Sequence, residues 1–324
     1  LRMHDSAAND FLVGEAITLF KKKGMAYSWF WDLAIAGQEL ARHRLGWPIV
    51  IFSQIALGSE LGHHTASELE VPFPIFLTER QCAFVQAELS LELDKFTVLM
   101  NRSVAYRKGN EDPGLHEFRN FPATPLIEAA ASYPGIGPLV RIGAEDNDAI
   151  SGMFDARRRI SAEPELDTGL QLAAGRYLGA DSGPAWLFLL RQRPVAIVNM
   201  VPLAQPSPIE PEKFLVIPKL IYAVDLGRLL TFQEMCTLPI RTARSSNAYR
   251  RLGLELISNS REEIELLLAD WCRLDFPHAE ERTPEEFDIS KQLRRKLNMP
   301  LLPSISPSFL RFHHGLLPAE IGER

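Results

Sequence analysis

From about residue 91 onward, short apolar runs alternate with stretches of helical periodicity, and no other feature of the sequence limits the fold as strongly. The apolar spacing predicts strands over 96–100, 139–142, 176–178 and 195–200, and helices over 124–132, 166–173 and 184–191. Further helix starts carry reciprocal caps: Thr231 with Glu234, Ser260 with Glu263, and Thr283 with Glu286, the last with Pro284 at the first helical position. Strands separated by helices require right-handed crossovers, which lay the strands parallel in one sheet. The expected fold class is α/β, a Rossmann-like parallel sheet flanked by helices, formed by residues 91–300.

Residues 1–90 read differently. Apolar residues at mixed three and four spacing predict helices over 11–23 and 27–44, followed by a short strand over 49–52. Gly58, Gly62, Pro72 and Pro74 then punctuate a loop, and Thr78 with Gln81 forms a capping box for a helix through Leu89. This is a smaller, helix-rich N-terminal region. Residues 301–324 are expected as a tail packing back on it.

Composition removes several classes of function. At 46% hydrophobic and 23% charged, the chain matches a globular protein rather than a disordered one. A net charge of -6 argues against nucleic acid as the partner, because phosphate backbones require a positive face. Cys82, Cys236 and Cys272 are too few and too far apart for a disulfide framework or a zinc site. No apolar run approaches the ~20 residues of a spanning helix, and no signal-peptide pattern opens the chain. The expected setting is cytoplasmic. Lys21 to Lys23 followed by Tyr27, Trp29, Phe30 and Trp31 suits either a solvated turn beside a core helix or peripheral contact with the inner membrane.

In parallel sheets ligands sit beyond the carboxyl ends of strands, close to helix N-termini, which singles out two loops. In Gly179-Ala180-Asp181-Ser182-Gly183-Pro184, small residues allow a ligand close to the backbone. Ser182 can donate a hydroxyl, Asp181 can accept from a sugar or ribose hydroxyl, and the amides of the helix start attract phosphate. The same residues also suit a capped turn without a ligand. The second loop begins Asn101-Arg102-Ser103 and continues to His116-Glu117-Phe118-Arg119-Asn120. Arg102 at a strand end can grip a phosphate bidentately, and His116 and Arg119 would share a helix face if that stretch is helical. The bland alternative is a solvated polar loop.

Other motifs carry less. Ser182 lacks the glycine pattern of a nucleophile elbow, since Ala180 and Pro184 hold the glycine positions. Asp146 and Asp148 form an Asp-x-Asp pair that could hold a metal on a diphosphate, although exposed loops often contain such pairs. Gly135-Ile136-Gly137 precedes its strand and is no dinucleotide fingerprint. His63-His64 and His313-His314 lack metal-ligand spacing.

The order and spacing of several segments resemble a family of bacterial glycosyltransferases associated with surface carbohydrate, of the two-lobed, metal-independent, GT-B-like class. The segments are Val98-Leu99-Met100-Asn101-Arg102-Ser103, His116-Glu117-Phe118-Arg119-Asn120, Leu139-Val140-Arg141-Ile142-Gly143 and Tyr177-Leu178-Gly179-Ala180-Asp181-Ser182-Gly183. Arg193-Pro194-Val195 with Asn199, Ile217-Pro218-Lys219, Leu230-Thr231-Phe232-Gln233-Glu234 and Asn259-Ser260-Arg261-Glu262-Glu263-Ile264 continue the series. The resemblance implies a nucleotide-sugar donor site in the α/β lobe, with Arg102, His116 and Arg119 on one side and Asp181, Ser182 and Gly183 at the helix start; Ser103 and Gly179 in the same two loops are further candidate donor-binding residues. It implies no metal and no cofactor beyond the nucleotide sugar itself, which is a substrate.

On this reading the chain moves a sugar from a nucleotide diphosphate to a cell-surface glycan or lipid-linked acceptor, with His116 as the candidate for general-base or phosphate-contact work. The rival is a non-catalytic nucleotide-sugar-binding or partner subunit that keeps the fold. The short N-terminal region favours that rival, because an acceptor lobe would have to be reduced, truncated or supplied by another subunit.

Overall fold

The computed structural model describes residues 77–103, 117–143, 153–160, 163–191, 193–204, 214–273, 288–300, 302–318 and 321. The elements expected before residue 77, the Thr283 cap, His63-His64, the Lys21 to Trp31 stretch, His116, and the Asp146 and Asp148 pair lie outside these residues.

Seven parallel strands form the main sheet: β1 (Thr97–Met100), β2 (Leu139–Arg141), β3 (Phe154–Asp155), β4 (Arg176–Gly179), β5 (Val195–Met200), β6 (Phe214–Pro218) and β10 (Ser304–Ile305). Their order across the sheet is β3-β2-β1-β4-β5-β6-β10. The order reverses between β1 and β4, the doubly wound Rossmann arrangement, and so the fold class expected from the sequence is the one observed. β1, β2, β5 and β6 are buried at every position, as strands covered on both faces must be. β3 at the edge is exposed.

The helices are α1 (Glu79–Ala83, continued by a π-helical turn over Phe84–Glu88), α2 (Ala123–Ala131), α3 (Arg157–Ile160), α4 (Pro164–Ala173), α5 (Gly183–Leu190), α6 (Phe232–Met235), α7 (Ser246–Arg251), α8 (Arg261–Arg273), α9 (Asp288–Lys296) and α10 (Pro307–Phe312). α8 packs on α2, α10, β5 and β6, while α4 packs on α1 and α5. Reciprocal caps form at Thr78 with Gln81, at Thr231 with Glu234 and at Ser260 with Glu263. Gln81 is fully buried where α1 meets α4, and a side chain at Gly169 would collide with it.

Between β6 and α8 the chain leaves the main sheet. β7 (Leu220–Ala223), β8 (Arg228–Leu229) and β9 (Leu254–Ile257) make a small antiparallel sheet in the order β8-β7-β9, which the sequence pattern did not announce. The segment after residue 300 also differs from a simple tail. Ser304 and Ile305 pair with Leu215 and Val216 as the seventh strand, so the sheet extends past the expected boundary at residue 300.

Candidate functional site

The two loops singled out in the sequence lie side by side at the switch point. β1 and β4 are neighbours in register, with Met100 opposite Gly179, and the Ala180 amide donates to the Met100 carbonyl at 2.9 Å. Gly179 has a φ of 155°, and a β-carbon there would collide with the Met100 carbonyl oxygen. Glycine is therefore required for the two strand ends to approach this closely.

The loop after β4 turns its hydroxyl inward. Ser182 is buried, with its Oγ 3.0 Å from the Tyr177 hydroxyl, 3.2 Å from the Ala180 carbonyl and 3.3 Å from the Met100 sulfur. The Tyr177 hydroxyl donates to the same Ala180 carbonyl at 2.7 Å. Ser182 thus shapes the floor of the turn, and the amides at the start of α5 are the groups left to meet a ligand. Gly183 is exposed and a β-carbon on it would meet nothing within 4 Å, so the approach to that helix start is open.

A short turn ties the loops together. Glu117–Arg119 forms one turn of 3-10 helix, and the Asn120 amide closes it on the Glu117 carbonyl. Arg119 is half-buried beside the Phe118 ring, and its Nη1 donates to the Asp181 carbonyl at 3.5 Å, a long and weak bond. The Phe121 amide donates to the Arg102 carbonyl at 3.1 Å. Arg102, Ser103, Arg119, Gly179, Asp181, Ser182 and Gly183 are thereby gathered at the carboxyl ends of β1 and β4. Arg102 and Asp181 are themselves largely buried.

Three further cations belong to this edge and were not singled out from the sequence. Arg141 ends β2, is fully buried, and donates to Asn101 Oδ1 at 2.9 Å. Arg157 is buried and grips Asp155 with two nitrogens at 2.9 and 2.7 Å, which holds the Asp155 carboxyl below the usual carboxylate range. Lys219 follows β6 and is 3% exposed, with its ammonium donating to the Asn120 carbonyl at 2.6 Å. Burial pushes its pKa down to about 8. Next to it, Asn199 and Asn259 exchange amide-to-side-chain bonds of 2.6 and 2.7 Å, and Asn259 also donates to the Pro218 carbonyl.

The sequence did contain one signal for Lys219. It is the single charged residue between Phe214 and Ala223, an otherwise apolar run. Arg141 and Arg157 carry no comparable mark.

Chemically, this edge combines backbone amides at a helix start with several buried or half-buried cations, an arrangement suited to phosphate. Among the described residues no group of three histidine, cysteine or acidic side chains is placed to hold a metal ion. Cys82, Cys236 and Cys272 are free, and His313 contacts Glu263 at 2.6 Å. Among the described residues no helix is long and apolar enough to cross a membrane. No protein family, no curated protein and no solved structure matches this chain.

Proposed function

We propose that this protein binds a nucleotide-diphosphate sugar in the crevice between the carboxyl ends of β1 and β4 and transfers the sugar to a glycan or lipid-linked acceptor. The observation that carries the proposal is the convergence of the Asn101 to Ser103 and Gly179 to Gly183 loops at the switch point, beside Arg119. Doubly wound sheets take their ligands at that place, and a diphosphate leaving group calls for fixed positive charge and amide dipoles. Arg102, Arg119 and the amides after Asp181 would hold the diphosphate, and His116 remains the candidate general base. The resemblance to GT-B-like glycosyltransferases supplies the reaction class, and any contact with the inner membrane would serve a lipid-linked acceptor.

A second reading has an observation of its own. Ser182 uses its hydroxyl within the loop, and the cations near it suit binding more than proton transfer. A nucleotide-sugar-binding subunit without turnover fits that pattern.

The test is thermal unfolding against a panel of nucleotides and nucleotide sugars, with and without EDTA. A ligand that binds only the folded state adds about 2.7 kcal/mol at a hundredfold excess over Kd, a readily measured rise in Tm. A rise with one nucleotide family, unchanged by EDTA, supports donor binding, and sugar release with an acceptor then separates enzyme from subunit. No rise with any nucleotide removes both readings.

A further inference from the structure

Lys219 stands where the chain passes from β6 into the small antiparallel sheet, at the same carboxyl edge as the switch point. An ammonium has three N–H donors, and among the described residues its one protein acceptor is the Asn120 carbonyl. It is 3% exposed, and burial lowers its pKa without an ion pair to any described carboxylate. Removing an ammonium from water without a counter-charge is costly, and methionine or leucine would fill the same volume at no such cost. A charge kept under those conditions calls for an opposite charge from outside the described residues.

The geometry indicates where that charge would come to rest. Asn120, which accepts from Lys219, directly follows Arg119, which reaches the Asp181 carbonyl, and precedes Phe121, whose amide holds the Arg102 carbonyl. One turn therefore links the buried ammonium to both switch-point loops. With 3% exposure and its ammonium on the Asn120 carbonyl, Lys219 would act from the interior. In such a low-dielectric setting an opposite charge within about 4–6 Å is felt strongly without direct contact.

We infer that Lys219 is the buried counter-charge for a phosphate group bound over the Glu117 to Phe121 turn, with Arg119 as the guanidinium that touches it. The phosphate could belong to the nucleotide diphosphate, in which case the inference rests on the function proposed above. It could equally belong to a separate phosphorylated ligand or to free phosphate.

The test is titration calorimetry on the full chain, wild type and Lys219→Met, with inorganic pyrophosphate, the nucleoside diphosphate that best raises Tm, and the parent nucleoside. We expect Lys219→Met to weaken pyrophosphate and nucleoside diphosphate about tenfold or more and to leave the nucleoside unchanged. Repeating the wild-type titrations near pH 8.5 in buffers of different ionisation heat should reveal proton uptake on binding, beyond any uptake by the variant. A purely structural lysine would not produce that uptake. Competition between pyrophosphate and the nucleotide assigns the phosphate to the nucleotide. Pyrophosphate binding that persists on the nucleotide-saturated protein and is lost in the variant assigns it to a separate ligand.

Equal affinity in both proteins for every phosphate ligand, or binding without extra proton uptake in the wild type, overturns the inference while leaving nucleotide binding intact. Pyrophosphate binding that depends on Lys219 in a protein that ignores nucleotides keeps the inference and removes the proposed function.

Discussion

Asp270 and Lys219 are both more than nine-tenths buried, and among the described residues neither forms an ion pair. Their surroundings nevertheless differ. Asp270, on α8, accepts from the Ser306 hydroxyl at 2.5 Å, the Ser308 hydroxyl at 2.7 Å and the Ser308 amide at 2.8 Å, and so it caps the start of α10. Around it, Arg294 donates to the Ser304 hydroxyl at 2.6 Å, and the Ile305 amide donates to Ser290 at 3.1 Å. This corner is closed: these carboxylate, hydroxyl and amide groups find their partners within the chain and fasten β10 and α10 to the body of the protein. Lys219 has one carbonyl. A buried charge whose bonds are complete serves the fold, whereas one left with spare donors is a cost that the fold alone does not explain.

The largest effect should come from breaking the closed corner. Asp270→Ala removes the acceptor for three donors and leaves two serine hydroxyls and an amide without it. We expect a loss of about 3 kcal/mol or more, read as a lowered urea midpoint at unchanged slope. Asp270→Asn, which keeps one acceptor oxygen, should lose less. A loss below about 1 kcal/mol for the alanine variant would mean that these bonds are not what holds the corner.

The next effect comes from the open charge, and its sign is opposite. The folded-state pKa of Lys219 is about 8, lowered from 10.5. Between those values the unfolded chain binds more protons than the folded one, so stability rises with pH. Below pH 8 the full penalty is present, and it is relieved as the pH climbs from 8 toward 10.5. The span corresponds to on the order of 3 kcal/mol. Unfolding free energies of wild type relative to Lys219→Met, measured across that window, should show this rise, since the variant subtracts the other groups titrating there. At pH 7 without ligand, the methionine variant should be at least as stable as wild type. A flat difference would show that the ammonium is already compensated.

This contrast also separates what the sequence displayed from what it concealed. β1, β2, β4 and β5 are apolar runs bounded by polar turns or capped helices, and they fall within a residue or two of the expected positions. The caps at Thr78, Thr231 and Ser260 were legible because the chemistry of a helix start is local. β3, β8 and β10 have two residues each, too few to show a period, and only pairing with distant strands makes them strands. β6 and β7 form one apolar run that Pro218 and Lys219 divide between two sheets. At the site, the switch-point loops were readable because they follow strands and open with small or polar residues. The burial of Arg141 and Arg157 was not readable, because a guanidinium under a turn and one in water are the same letter.

The smallest effect tests a charge that has both partners and water. Glu234 closes the cap of α6: its Oε2 accepts from the Thr231 amide at 2.8 Å, the Glu234 amide donates back to Thr231 Oγ1 at 3.2 Å, and Arg228 forks onto the carboxylate at 2.7 and 2.9 Å. The Arg228 bonds, ahead of the cap, lower its pKa from 4.5 to about 2. Its stabilisation is therefore complete above pH 4.5 and is lost as the pH falls toward 2. The side chains are 48% and 35% exposed for Arg228 and Glu234, so solvent screening keeps the pair to a fraction of what the shift alone would suggest. Thr231→Ala should cost about 1 kcal/mol at pH 7, the usual value of a lost cap. Glu234→Gln should cost less than about 1 kcal/mol there and nothing further below pH 2. If Glu234→Gln instead matched Asp270→Ala, complete bonding would matter regardless of burial, and the distinction between the closed corner and the open edge would have to rest on bonding alone.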